Sequence, residues 1–181
     1  SWLFYIHYYI YPMTDFFIKS DISRNDAEKV VSETLKNCDD GELYLENSKT
    51  ENIVLDDSKI KNSSYNSDIG YGLRAVTGEV IAYSHSNEIS KNSLKNSSEN
   101  LKSTLKSKKG TYNHSISKSN IKYYEDKNPI EEKSFSSKIK ILEEIDKYTR
   151  SKNPNVKQVT ANFLGEHKSV EIIRAGGEIL A

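Results

Sequence analysis

Between Glu42 and Ser84 the apolar residues recur at every second position, and this alternation constrains the fold more than any other feature of the 181-residue chain. Successive side chains of an extended strand point to opposite faces, so a period of two means one face on a core and one in water. Leu43 and Leu45 alternate with polar neighbours, and Ile53 and Leu55 do the same. Asp56-Asp57-Ser58 is a turn signal, after which residues 59–65 return as a polar strand. Leu73 and Ala75 continue the pattern within Gly70–Val76, and Thr77-Gly78 turns the chain into a strand over Glu79–Ser84. Four strands with tight connections predict an antiparallel meander.

Three stretches with helical spacing flank this region. Residues 24–38 read as an amphipathic helix capped by Asn25 or Asp26 and ended by Asp39-Asp40-Gly41. Ala27, Val30, Val31, Thr34, Leu35 and Cys38 form its apolar stripe. Ser90 caps a second helix to about residue 107, with Leu94, Leu101 and Leu105 on one side; so thin a stripe places it on the surface of the sheet. Residues 107–130 are rich in Ser, Lys and Asn and have no clear period, which predicts a mobile excursion or a loop holding a short strand near Ile121–Tyr124. Ser134 caps a third helix to about Ser151, with Phe135, Ile139, Leu142 and Ile145 facing inward.

Two strands follow, one in which Val159, Ala161 and Phe163 alternate and one carrying Val170 and Ile172. Ala175-Gly176-Gly177 then turns into a strand beginning at Glu178. The predicted fold class is α+β, an antiparallel sheet meander with three helices packed on it. A four-residue terminal strand leaves the edge of its neighbour largely unpaired, an aggregation hazard that predicts a truncated or split domain.

Residues 1–12 are aromatic and uncharged. They are too short to span a bilayer and lack the basic start and cleavage site of a signal peptide. Met13-Thr-Asp-Phe-Phe reads as an ordinary start, so 1–12 is expected to be a spurious or disordered extension and 13–181 one domain. A membrane-interface anchor and an apolar segment packing on a partner are the alternatives.

Lys plus Arg and Asp plus Glu each number 26, so the net charge is zero. That disfavours a nucleic-acid binder or a polybasic membrane reader. The Lys-rich run at 102–109 reads as a solvated helix end. A single cysteine excludes an internal disulfide and fits a reducing, cytoplasmic compartment. No run of about 18 to 20 apolar residues is present to span a membrane.

The reactive side chains do not form a catalytic constellation. No two of His7, His85, His114 and His167 have the i, i+4 spacing that sets imidazoles on one helix face for zinc. Cys38 lies on an apolar stripe and reads as a core residue. Gly70-x-Gly72 lacks a third glycine and precedes a strand rather than a helix N-terminus, so it reads as a bulge or a close backbone approach. Arg74 shares the face of Gly70 and Gly72, where it would pair with a carboxylate across the sheet or meet a substrate. The Asp39-Asp40 and Glu131-Glu132 doublets read as solvated charge.

The stretch Ser64–Glu79, with Gly70, Gly72, Arg74, Ala75, Gly78 and Glu79 in a Gly-x-Gly-x-Arg-Ala-x-x-Gly-Glu pattern, resembles the N-terminal domain of the TldD/PmbA family. The likeness is to its TldD branch, peptidase family U62, also called modulators of DNA gyrase. Glu42-Leu-Tyr-Leu-Glu46 resembles the family's first strand, Asn87-Glu-Ile-Ser90 the entry to its second helix, and Lys138–Asp146 after Asn128-Pro129 its third helix. Gln158–Ala161 and Gly177–Ala181 resemble its following hairpin, so the likeness runs over about residues 26–181.

The resemblance implies a zinc metalloprotease, often a TldD–TldE pair, acting on peptides or unfolded proteins. The family is more than twice this length and carries its zinc on a His-Glu-x-x-x-His helix plus a later Cys, all in the C-terminal half. None of these is present here, so no catalytic, metal or cofactor-binding residue is expected in this chain. The six motif residues are expected to be structural or to line a channel. The implied partners are a C-terminal TldD half from a neighbouring frame, a TldE-like subunit and a peptide substrate, with no nucleic acid and no membrane. The alternatives are a free-standing peptide-binding or TldE-associating module and a decayed gene remnant.

Overall fold

A computed structural model describes residues 16–105, 109–111 and 127–175, and the backbone of 179–180. The extension at 1–12, His7, His114 and the strand expected near Ile121–Tyr124 lie outside the described residues.

The elements run α1 (Arg24–Leu35), β1 (Asp40–Asp56), β2 (Lys59–Thr77), β3 (Val80–Ser86), α2 (Lys91–Thr104), α3 (Phe135–Lys152), β4 (Thr160–Arg174) and β5 (Ile179–Leu180). The sheet is antiparallel with order β3-β2-β1-β4-β5. β1, β2 and β3 form the meander, and β4 returns after α2 and α3 to lie on the other side of β1. The α+β class therefore holds.

Its strands are longer than the sequence suggests. β1 has 17 residues and β2 has 19, where separate short strands were expected. β4 likewise joins the two strands expected at 159–163 and 170–172. The polar stretch Asn47–Asn52 does not interrupt β1 because both its edges are paired there, with β2 and with β4. The backbone ladder carries the strand through a section that buries few apolar side chains.

Two tight turns set the register. Asp57 and Ser58 both have positive φ, 49° and 65°, which gives the β1–β2 hairpin a type I′ turn. At the β2–β3 turn only Gly78 has positive φ, 59°, the conformation a type II′ turn requires at its first central position.

One face of the sheet carries the helices. Leu43, Leu45, Tyr71, Leu73, Ala75 and Ile173 pack there against Ala27, Val31 and Leu35 of α1 and Leu94 and Leu101 of α2. At the far end Ile53 and Leu55 pack against Leu142 of α3. Between these two cores Lys138 of α3 is buried beside Glu51 of β1 and donates both to its carboxylate and to the Ile130 carbonyl.

Several local expectations are corrected. Ser23, not Asn25 or Asp26, caps α1; its hydroxyl accepts from the Asp26 amide and donates to the Asp26 carboxylate. α1 also stops at Leu35, so Cys38 is buried in the connection to β1 rather than on the helix. On α3 the buried positions are Lys138, Leu142 and Asp146, with Ile139 partly buried, while Phe135 and Ile145 are 47% and 46% exposed. The i, i+4, i+8 row through Lys138 faces the sheet because Glu51, Arg150 and Ser58 satisfy its polar ends. In β4 the core-facing residues are Glu171 and Ile173 rather than Val170 and Ile172. Glu171 is tolerated there because Arg24 grips both its carboxylate oxygens.

Candidate functional site

The Gly70–Glu79 motif lies on β2 and its turn. Tyr71, Leu73 and Ala75 face the helices. Gly70, Gly72 and Arg74 therefore occupy the opposite face, which no helix covers among the described residues.

Arg74 is held by carboxylates on the neighbouring strand. Its Nε donates to Glu42 Oε1 at 2.7 Å, and one terminal nitrogen donates to Glu42 Oε2 at 2.9 Å and to Asp40 Oδ2 at 2.6 Å. Hydrogen bonding to Glu42 leads the causes that raise the guanidinium pKa still further, so Arg74 is a permanent cation. Burial pushes Asp40 up, but the Arg74 guanidinium and the Gly41 amide outweigh it and hold the carboxyl below its usual range.

The Asp39-Asp40 doublet is thus not merely solvated charge. While Asp40 binds Arg74, Asp39 accepts from the Gly78 amide at 2.6 Å and from the Thr111 amide at 2.8 Å. These two amides, Gly78 first, lower the Asp39 pKa. Glu131 of the second doublet is exposed and pairs with Lys49 at 2.8 Å.

The two glycines make room for other groups. A Cβ on Gly70 would lie 2.7 Å from the Ser86 carbonyl oxygen, where the chain leaves β3. A Cβ on Gly72 would lie 2.5 Å from the Tyr83 hydroxyl. Tyr83 leans over Gly72 and stacks on His85, with ring centroids 5.8 Å apart.

Together these residues enclose an open cleft of about 240 Å³ on the uncovered face. Gly70 and Gly72 form its floor, Tyr44 and Tyr83 stand in its walls, and Glu46, Asp68 and His85 supply polar groups. The Tyr44 hydroxyl donates to Glu46 at 2.6 Å, and the Lys168 ammonium lies 3.3 Å from the same carboxylate. Burial and the Glu46 carboxylate push the Tyr44 phenol up to about 12, and the Tyr44 hydrogen bond pulls Glu46 down.

Sequence reasoning singled out Gly70, Gly72 and Arg74 but missed Tyr44, Glu46, Asp68 and Tyr83. The signal was the parity of three strands in register. Tyr44 pairs with Gly72, and Gly72 with His85, so aromatic residues flank a glycine on one face. Ala75 lies on the other face in the core, while Gly78 and Glu79 are exposed at the turn.

Among the described residues no group of three His, Cys, Asp or Glu side chains could hold a metal ion. His85 lies on β3 in the cleft wall, His167 lies on β4, and the buried Cys38 thiol, its pKa raised by burial, donates to the Thr34 carbonyl. These side chains do not fit the three-ligand zinc site of a metalloprotease. Among the described residues no helix is long and apolar enough to cross a membrane.

Residues 41–107, which span the motif and the cleft, match the family described as PmbA/TldA metallopeptidase domain 1. The chain is 30% identical over 144 residues to a metalloprotease TldD homolog of Buchnera aphidicola and 31% identical over 152 residues to one of Haemophilus influenzae. The chain carries an N-terminal domain of the TldD/PmbA family. These matches use 79% and 81% of this chain but 30% and 31% of the two relatives, so it spans about a third of their length. Among solved structures, TldE of Thermococcus kodakarensis superposes with a TM-score of 0.59 at 16% identity, over 84% of this chain and 35% of that one. A Bacteroides thetaiotaomicron protein described as a modulator of DNA gyrase gives 0.61 at 12% identity, over 87% and 38%. At such identities the likeness establishes the shared TldD/PmbA fold.

Proposed function

We propose that this TldD/PmbA-type domain is the N-terminal, non-catalytic part of a TldD-like metalloprotease acting on peptides or unfolded proteins in the cytoplasm. Peptide-bond hydrolysis requires a C-terminal half that brings the zinc. The observation that carries this reading is the match to metallopeptidase domain 1, together with relatives named metalloproteases of which this chain spans about a third. A zinc protease needs three protein ligands, an open coordination position for water and a base; the described residues offer no set that fits, so no step of hydrolysis is assigned to them.

On this reading the domain supplies shape and binding surface. Of the motif residues, Gly70 and Gly72 floor the cleft, the surface that on this reading faces the channel to the metal, while Arg74, Ala75, Gly78 and Glu79 hold the β2–β3 ribbon that carries it. A TldE-like subunit is the expected partner, a role supported by the fold shared with TldE from Thermococcus kodakarensis.

The test is co-expression with the C-terminal half of a TldD homolog. The pair is expected to co-purify with stoichiometric zinc, and this chain alone to bind none. Stoichiometric zinc on the isolated chain would overturn the proposal.

A further inference from the structure

We propose that Arg174, the last residue of β4, is a docking cation for an acidic side chain of the C-terminal half. The inference rests on the reading above for the existence of that half, and on the arginines of this chain for the chemistry.

Only four of the chain's 26 basic residues are arginines. A guanidinium differs from an ammonium in its planar fork, which meets a carboxylate with two directed bonds. Three of the four arginines work in this way. Arg24 grips both oxygens of Glu171, Arg74 grips both of Glu42 and one of Asp40, and Arg150 donates to Asp146 and Asp57. Arg174 is the exception. It is half-buried, makes no hydrogen bond or ion pair among the described residues, and its Nε is shielded from water without an acceptor. An N–H kept from water with no acceptor is a cost that a bound carboxylate removes.

The neighbouring strands explain why the chain's own carboxylates leave this place open. Arg174 stands directly opposite Glu42 in the β1–β4 ladder, and Glu42 stands opposite Arg74 in the β1–β2 ladder. The three therefore form one row on the face that no helix covers among the described residues. Both Glu42 oxygens and Asp40 Oδ2 are taken by Arg74. Arg174 adds only its field to those that lower the Asp40 pKa.

Position selects the supplier of the missing carboxylate. Tyr44 and Ile172, paired in the next row on this face, are half-buried and give the site an apolar side. Leu180 of β5 pairs with that same Ile172, two residues along β4 from Arg174. The C-terminal half follows β5, and in the two curated relatives the matched part is only 30% and 31% of the length. A body of that size, tethered beside Ile172, presents its side chains to Arg174 at high effective concentration, which a free peptide does not. The matching group is an Asp or Glu with apolar neighbours.

The test follows the four arginine Nε–H signals of the isotope-labelled full chain by NMR while acetyl-Leu-Glu-Leu-amide or acetyl-Leu-Gln-Leu-amide is added to millimolar concentration. The Glu peptide is expected to shift the Arg174 signal saturably and to bind about tenfold more tightly than the Gln peptide, leaving Arg24, Arg74 and Arg150 in place. In a second arm the chain is paired with the C-terminal half of a TldD homolog. Arg174→Gln is expected to weaken that association about tenfold or more, and Arg174→Lys to restore part of it, with melting temperatures confirming that both variants fold. An Arg174 signal that the Glu peptide leaves in place, one that moves on Glu178→Gln without any peptide, or unchanged association of Arg174→Gln would overturn the proposal. If the wild-type chain itself fails to associate, the reading above falls, and the peptide arm still decides the site.

Discussion

The Tyr83 hydroxyl occupies the space a Cβ on Gly72 would need, 2.5 Å from where that carbon would sit. Two residues away, the Ser86 carbonyl oxygen stands 2.7 Å from the corresponding position on Gly70. One obstacle is the far end of a side chain that is 62% exposed, and the other is backbone.

These two glycines should therefore respond differently to alanine. Gly70→Ala must push the end of β3 away and is expected to cost about 1–3 kcal/mol. Gly72→Ala needs only a rotation of Tyr83 and is expected to cost under about 1 kcal/mol, a cost that vanishes in a Tyr83→Ala background. Urea unfolding of the single and double variants measures both; equal costs would contradict the geometry.

Arg74 holds two carboxylates that are themselves partly buried. Arg74→Gln leaves Asp40 and Glu42 facing each other without their cation and is expected to destabilise the domain by about 1–3 kcal/mol. Arg74→Lys keeps the charge but loses the fork geometry, and should recover only part of that loss. Denaturant midpoints of the two variants decide the order.

The buried pair Lys138–Glu51 should show the opposite balance of single and double changes. Lys138→Met leaves the Glu51 carboxylate buried without a counter-charge and is expected to cost about 3–5 kcal/mol. Replacing both, as Lys138→Met with Glu51→Leu, should restore much of the loss because neither charge then has to be desolvated. A double variant weaker than the sum of the two singles would refute this reading.

Stability should fall at both ends of the pH scale. Asp39, Asp40 and Glu46 have lowered pKa values in the fold, so the unfolded chain takes up protons first. Their contribution is present above the usual carboxylate pKa of about 4 and is lost as pH drops through the lowered values. Tyr44 is raised to about 12, so its contribution is present below the ordinary tyrosine pKa near 10 and is lost as pH rises toward 12. Unfolding midpoints across pH should show both limbs, and Glu46→Gln should weaken each.

Much of the sheet was legible because alternation reports which face is buried: Leu43, Leu45, Ile53, Leu55, Leu73 and Ala75 all face the helices. The caps Ser90 and Ser134 were legible from their side-chain chemistry. Strand length was not, because the polar middle of β1 is held by backbone pairing on both sides, to which side-chain hydropathy is blind. The inward face of α3 was misread because Lys138 and Asp146 take core positions through partners far away in sequence, Glu51 and Ser58. The cleft was hidden for a similar reason: Tyr44, Asp68 and Tyr83 meet only when three strands are set in register.

The central claim is that this domain contributes to peptide hydrolysis without performing it. The most direct measurement is hydrolysis of a fluorogenic peptide by the purified chain, alone and with a C-terminal TldD half, each with and without a metal chelator. Chelator-sensitive cleavage by the pair and none by the chain alone is the predicted result; chelator-sensitive cleavage by the chain alone would contradict it.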